Sequence, residues 1–144
     1  MSQLLVCLLT LLVSLSSPAM ERNADFWHSS LAAEEGQMLY RGVPGNGTQK
    51  AILGQQGVAI PRGIALDEGS LVQHVLGEDV NAGVTSWTTD RAVAARFSGP
   101  NGTIIEVPMS KVSSQVVPRP PLPKYGGESE VLLKSTIQGT PTRP

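Results

Sequence analysis

Short apolar runs recur along the chain, and polar or glycine-containing turns separate them. Runs that are rich in β-branched residues and bounded by turn signals are typical of short strands. The strands predicted in this way cover residues 38–40, 58–60, 84–87, 103–107 and 128–133. Trp87, at the end of the third run, is predicted to lie in the core.

Other segments have the spacing of helices, and these cover residues 25–35, 48–53, 66–76 and 90–97. Thr48 is predicted to cap the second helix and Thr88 or Thr89 the fourth, because their hydroxyls can accept from free backbone N–H groups. Val93 and Phe97 stand four residues apart, which predicts that they share the buried face of the fourth helix.

The segments between these elements indicate irregular structure. Residues 99–102 read Gly-Pro-Asn-Gly, which predicts a turn. Four prolines within residues 117–123 predict an irregular or polyproline-like connection. Residues 139–144 are predicted to form a loose tail. Several short strands and a few helices in one chain predict an α+β fold.

Length and charge narrow the classes of function. The chain has 144 residues, which fits a single domain, and a formal net charge of −1. A near-neutral chain has no electrostatic preference for nucleic acid or for an anionic membrane. The composition therefore disfavours a dedicated nucleic-acid-binding domain, although RNA stays open as the substrate of an enzyme.

The first 19 residues have the order of a secretory signal, with an apolar stretch followed by small residues before Met20. The stretch is too short to span a bilayer comfortably, and no Lys or Arg precedes it. We expect a signal peptide over 1–19, a single domain over 20–144, and a secreted protein without stable membrane insertion. The alternatives are a first helix that packs on the domain, or a start at Met20 that leaves the protein in the cytoplasm. Cys7, the one cysteine, lies in this segment, so a chain from which the leader is cleaved would have no cysteine for a disulfide.

Three separated segments carry the candidate chemistry. Arg41 follows an apolar run, and its planar fork of donors suits a diphosphate. Ser86 stands in a Ser/Thr-rich segment where a strand passes into a helix. Glu128 and Glu130 flank one serine, and on a strand they project to the same side. Two carboxylates facing one pocket suit the cleavage of a glycosidic bond through a positively charged sugar.

The remaining candidates for chemistry are weaker. His28 and His74 have no companions at metal-ligand spacing, so both are interpreted as structural or surface residues. No phosphate loop, dinucleotide fingerprint or serine nucleophile elbow is present in the sequence.

Taken in this order, the three segments resemble the arginine–serine–glutamate class of mono-ADP-ribosyltransferases, which includes cholera toxin-like enzymes. The resemblance is closest to the compact transferase domains of bacterial polymorphic and Rhs-type toxins, and it extends from about residue 39 to residue 133. The stretches that carry it are 39–43, 60–63, 85–90 with Val93, and 124–133. Trp87 departs from the pattern, because a threonine is common at that position.

The resemblance implies a small split β-sandwich with a few surface helices, and NAD as a co-substrate in the cleft between two sheets. No metal is expected. Arg41 would contact the NAD phosphates or the nicotinamide ribose region, with Tyr40 and Gly42 as part of the same cofactor-binding segment. Ser86 would orient the catalytic glutamate, and Thr88 would support that motif.

In the same way, Glu130 would bind the hydroxyls of the nicotinamide ribose and stabilise its oxocarbenium ion. Glu128 would present or deprotonate the acceptor. The implied function is a secreted effector or toxin that transfers ADP-ribose to a macromolecule, with a protein arginine as the favoured acceptor, RNA as an alternative and an immunity protein as a further partner. An NAD glycohydrolase and a non-catalytic secreted binding domain that keeps the fold are the competing interpretations.

Overall fold

The computed structural model describes residues 36–78, 81–122 and 129–144. The predicted signal segment, the predicted helix over 25–35 and Glu128 lie outside these residues. Within the described ranges, none of the helices has both the length and the apolar character that crossing a bilayer requires.

Helices and short strands alternate along the described residues. The helices are α1 (Gln49–Gln55), α2 (Glu68–Val75), α3 (Arg91–Ser98) and the single turn α4 (Met109–Val112), which runs into a 3-10 turn at Ser113–Gln115. The strands are β1 (Met38–Val43), β2 (Val58–Ala59), β3 (Val84–Thr88), β4 (Thr103–Pro108), β5 (Val116–Val117), β6 (Glu130–Lys134), β7 (Ile137–Gln138) and β8 (Thr140–Thr142).

Six strands form one antiparallel sheet in the order β5-β6-β3-β1-β4-β8, and β2 pairs with β7 in a second, two-stranded sheet. The α+β class predicted from the sequence is confirmed. Helix α2 packs on the large sheet, where Leu71 joins a buried cluster with Val84 of β3 and Leu132 of β6.

The predicted core position of Trp87 is confirmed, because its side chain is only 2% exposed. Its indole Nε1 donates a hydrogen bond of 2.8 Å to the hydroxyl of Thr85 on the same strand face. Burying an indole requires a partner for its N–H. Thr85 therefore takes part in the packing of the core.

Of the two predicted helix caps, one is confirmed and the other is wrong. Thr48 caps α1 as predicted, and its hydroxyl accepts from the backbone N–H of Ala51. The prediction that Thr88 or Thr89 caps α3 is wrong, because Asp90 occupies the cap position and its side chain accepts from the N–H of Ala92. The hydroxyl of Thr88 instead accepts from the N–H of Asp90 and fixes the turn that precedes the helix.

Four further predictions need correction. Phe97 is not on the buried face of α3 with Val93, since 59% of it is exposed. Residues 139–144 are not a loose tail, because β8 pairs with β4. The irregular connection begins one residue later than predicted, after β5, and the strand predicted over 38–40 continues to Val43. Arg41 therefore lies within a strand and not at its end.

Candidate functional site

Strand β1 is fully paired on one side and almost unpaired on the other. Its six residues pair with β4 without interruption. With β3 it shares a single pair, Tyr40 opposite Thr88. Beyond that pair the two strands separate, and the guanidinium of Arg41 donates from Nη1 to the backbone carbonyl of Ser86 at 2.6 Å. A side chain thus satisfies a carbonyl that the neighbouring backbone does not reach.

Three of the predicted site residues form a row across neighbouring strands. Tyr40 of β1 is opposite Thr88 of β3, and Thr88 is opposite Glu130 of β6. Directly opposed residues of antiparallel strands project to the same face of the sheet. Ser86 lies two positions from Thr88 on β3, so its side chain is also on this face.

These residues line one cavity of about 460 Å³ at the open side of β1. Its volume is within the range of about 300–1,000 Å³ that is typical of small-molecule sites. Six of the seven predicted site residues contribute to its wall, and they are Tyr40, Arg41, Gly42, Ser86, Thr88 and Glu130. Glu128, the seventh, lies outside the described residues.

A second cavity of about 510 Å³ adjoins the first. The two share a wall that includes the cationic side chains of Arg41, Lys50 and Arg62. Polar residues Asn46, Thr48 and Gln49 line the second cavity beyond that wall. The pair of cavities therefore has positive charge at its junction and polar or apolar groups on both sides.

The guanidinium of Arg41 lies in an environment that disfavours its charged form. Burial, and after it the positive charge of Arg62, lowers the pKa of the Arg41 guanidinium to about 10. At neutral pH Arg41 remains protonated, so the folded protein holds a desolvated cation close to a second one. A bound anion at this wall would relieve both costs.

The carboxylate of Glu130 is held by an arginine from the proline-containing segment. Nε of Arg119 donates to Oε2 of Glu130 at 2.7 Å, and the two side chains are only 18% and 16% exposed. The geometry is that of a short, charge-assisted hydrogen bond.

Ser86 has a partner that the sequence did not indicate. Nε2 of His74 lies 2.8 Å from the hydroxyl oxygen of Ser86, and His74 also lines the first cavity. The interpretation of His74 as a structural or surface residue misses this contact. His74 lies one residue before Val75 and three after Leu71, so it is next to the apolar residues of α2 that pack on the sheet. This spacing is the sequence feature that could have indicated a contact with the sheet.

Helix α3 forms another wall of the cavity because it packs closely on β1. A Cβ atom at Gly42 would collide with the backbone oxygen of Ala94 and lie 2.7 Å from the amide nitrogen of Ser98. Only glycine permits this approach of the helix backbone to the strand. The approach places the exposed ring of Phe97 in the cavity wall beside Gly42.

Sequence reasoning also missed the contributions of Lys50, Arg62 and Arg119. Arg62 lies in a stretch that carries the family resemblance, but no role followed from that stretch. For Lys50 and Arg119 no local signal exists, because the packing of distant elements determines their positions. Among the described residues, no group of three or more His, Cys, Asp or Glu side chains is arranged to hold a metal ion.

The chain was compared with protein-family models, with curated proteins and with solved structures, and none of the three comparisons gives a match.

Proposed function

We propose that this protein is an NAD-dependent mono-ADP-ribosyltransferase, and that its fold is a compact form of the split β-sandwich of the arginine–serine–glutamate class. The observation that carries the proposal is the convergence of Arg41, Ser86 and Glu130 on one cavity. They come from β1, β3 and β6 and are far apart in sequence. Polar and charged side chains that are merely solvated surface residues are not expected to converge on one cavity.

Two adjoining cavities with cationic residues in their shared wall support NAD as the co-substrate. A dinucleotide has a diphosphate at its centre, and the shared wall of Arg41, Lys50 and Arg62 offers cations for it. The nicotinamide ribose then lies toward Glu130 and Ser86, and the adenosine half toward the second cavity. The cost of holding Arg41 near Arg62 is consistent with a wall that is adapted to an anion.

The expected chemistry uses Glu130 to stabilise charge that develops during the reaction. The bond between C1′ of the ribose and the nicotinamide nitrogen breaks, nicotinamide leaves as a neutral molecule with the electron pair, and positive charge remains on the sugar. A fixed carboxylate in a partly dry cleft stabilises that charge. The acceptor nitrogen then bonds to C1′ and loses its proton, for which Glu128 is the proposed base.

The contact between His74 and Ser86 adds a positioning step. A hydroxyl held on a second side chain has fewer rotamers, so it can keep a fixed orientation toward the row of Thr88 and Glu130. Protein arginine is the favoured acceptor, RNA is the alternative, and the protein acts as a secreted effector with an immunity protein as a partner.

The test is incubation of the purified protein with NAD carrying a labelled adenine moiety, with and without a cell lysate, while nicotinamide release is measured in parallel. We expect both nicotinamide release and labelling of a macromolecule. Nicotinamide release without labelling would select the NAD glycohydrolase. No release, together with no binding of NAD in calorimetry, would select a non-catalytic binding domain.

The matched pair of variants is Glu130→Gln and Glu106→Gln. Both glutamates pair with an arginine, at 2.7 Å for Glu130 and 3.0 Å for Glu106, but Glu106 does not line the cavity. Only Glu130→Gln is expected to lower nicotinamide release strongly. Equal activity of the two variants would contradict the proposed role of Glu130.

A further inference from the structure

The carboxylate proposed to act on NAD is already engaged by an arginine of the same chain. Arg119 donates from Nε to Oε2 of Glu130, and both side chains are mostly buried. Oε2 therefore accepts from a guanidinium, and Oε1 is the oxygen that we assign to a ribose hydroxyl. The carboxylate of Glu130 is therefore a binding site for a guanidinium group.

The backbone delivers Arg119 to this place. Strands β5 and β6 pair through Val116 with Leu133 and Val117 with Leu132. Continuing the same antiparallel register by two residues places Arg119 directly opposite Glu130. The hydrogen-bond ladder does not continue this far because proline has no N–H to donate. The side chains nevertheless meet as a cross-strand pair.

The prolines on both sides of Arg119 hold it in position. Pro118 and Pro120 each have a fixed φ, and a residue that precedes proline favours an extended backbone. Pro120 is itself buried. Little conformational entropy is therefore lost when the guanidinium of Arg119 binds Glu130.

Two nitrogens of Arg119 have partners within the chain. Arg119 presents the internal nitrogen Nε to the carboxylate, whereas its terminal nitrogen Nη1 lies 3.5 Å from the backbone carbonyl of Pro120. Transfer to arginine uses a terminal nitrogen, which must approach C1′ of the ribose. Nη1 of Arg119 is therefore directed at its own backbone and not at the carboxylate that would lie beside C1′.

We propose that Arg119 is a tethered pseudosubstrate, which occupies a guanidinium-binding subsite on Oε2 of Glu130 until an acceptor arginine displaces it. The role of this subsite in transfer rests on the proposed function, but its affinity for a guanidinium does not. A tethered group competes at an effective concentration of about the mM range. Free guanidino compounds should therefore bind poorly to the wild-type protein and better when Arg119 is removed.

The binding test uses agmatine, a small guanidino compound, titrated into the full chain by calorimetry. Arg119→Ala and Arg119→Gln are expected to bind agmatine about tenfold more tightly than the wild type. Two variants are used so that one can replace the other if it does not fold, as judged by thermal unfolding. Arg91→Ala is the matched control, because Arg91 pairs with Glu106 outside the cavity, and it should bind as the wild type does.

A double variant, Arg119→Ala with Glu130→Gln, locates the subsite. It should lose the gain, since the carboxylate that holds the guanidinium is gone. The proposal is overturned if removal of Arg119 leaves agmatine affinity unchanged, or if the gain survives the loss of Glu130.

A kinetic measurement separates this proposal from the proposed function. With NAD and agmatine as substrates, Arg119→Gln should lower the KM for agmatine by about tenfold. The KM for NAD should stay within about twofold, since the shared wall of Arg41, Lys50 and Arg62 is not changed. Absence of nicotinamide release from the wild type and from every Arg119 variant would contradict the transferase alone, and the binding result would still decide on the guanidinium subsite.

Discussion

The two sides of strand β1 differ in how completely they are paired, and the difference coincides with the division between core and cavity. On the β4 side, pairing runs from Met38 to Val43 without a gap, and residues such as Ile104 and Ile105 are fully buried. On the β3 side, pairing is reduced to Tyr40 and Thr88. The polar and charged groups of the chain's candidate site gather on this second side.

The difference in pairing shows how a gap opens in a small antiparallel sheet. A complete ladder satisfies every backbone group and brings the strands within about 5 Å of each other. Where the ladder stops after one pair, a carbonyl becomes available, and the side chain of Arg41 takes the place of a backbone donor. The open side is therefore a gap in the ladder, and a cationic side chain supplies the missing donor there.

The largest expected effect comes from the carboxylate on the open side. Glu130→Gln should lower the turnover of NAD by about 100- to 1,000-fold, because it removes a fixed charge that acts mainly in the transition state. The affinity for NAD should change much less, since the shared wall of Arg41, Lys50 and Arg62 is intact. Steady-state nicotinamide release and calorimetry measure the two quantities. A loss of affinity as large as the loss of turnover would show that Glu130 acts in ground-state binding.

The next effect concerns the packing of α3 against β1. Gly42→Ala should destabilise the fold by about 1–3 kcal/mol, because the added methyl group meets the helix backbone, which cannot move as a side chain can. Gly69→Ala within α2 is the control. Its Cβ lies 3.3 Å from one side-chain atom of Asp67, and alanine favours a helix. Thermal and denaturant unfolding measure both, and equal stability of the two variants would mean that the close approach at Gly42 is unimportant.

A smaller effect tests the fork of donors at the junction of the cavities. Arg41→Lys keeps the charge but loses the planar guanidinium, so affinity for ADP-ribose should fall by about tenfold, or about 1.4 kcal/mol. Arg91→Lys, on the side of the sheet where β4 is paired, should leave it unchanged. If both variants bind ADP-ribose as the wild type does, the diphosphate does not bind at Arg41.

The smallest effect is on pH dependence. The pKa of Arg41 is lowered to about 10 by burial and by Arg62, so the protonated form that binds an anion dominates below that value. Affinity for ADP-ribose should be flat between about pH 7 and 9 and fall as the pH rises through about 10. Arg62→Gln removes one neighbouring cation, so the fall should move to higher pH. Calorimetry across this range measures the shift, and a fall that does not move would exclude coupling between the two arginines.

The elements that could be predicted from the sequence are those whose own residues determine them. Strand β3 and helix α1 with its cap at Thr48 follow from local composition and hydrogen bonding. Strand β8 could not be predicted, because its residues are polar and include Pro141. It becomes a strand by pairing with β4 at the edge of the sheet, where a proline is tolerated. Helical spacing alone predicts a buried Phe97, but its exposed side chain lines the cavity beside Gly42.

The same division applies to the candidate site. Arg41, Ser86 and Glu130 could be singled out from residue type and order, and all three line the first cavity. His74 and Arg119 could not, because their contacts with Ser86 and Glu130 depend on how α2 and β5 pack on the sheet. Local patterns identify groups that are chemically able to act. Long-range pairing determines what each of those groups touches.

The most direct test of the account is a titration of NAD into the isotope-labelled protein, observed through the backbone amide resonances. We expect concentration-dependent shifts at the open side of β1, around Arg41, Ser86 and Glu130, and little change where β4 pairs with β8. Shifts confined to the β4 and β8 edge, or no shifts at millimolar NAD, would contradict the claim that the split between β1 and β3 is the nucleotide site.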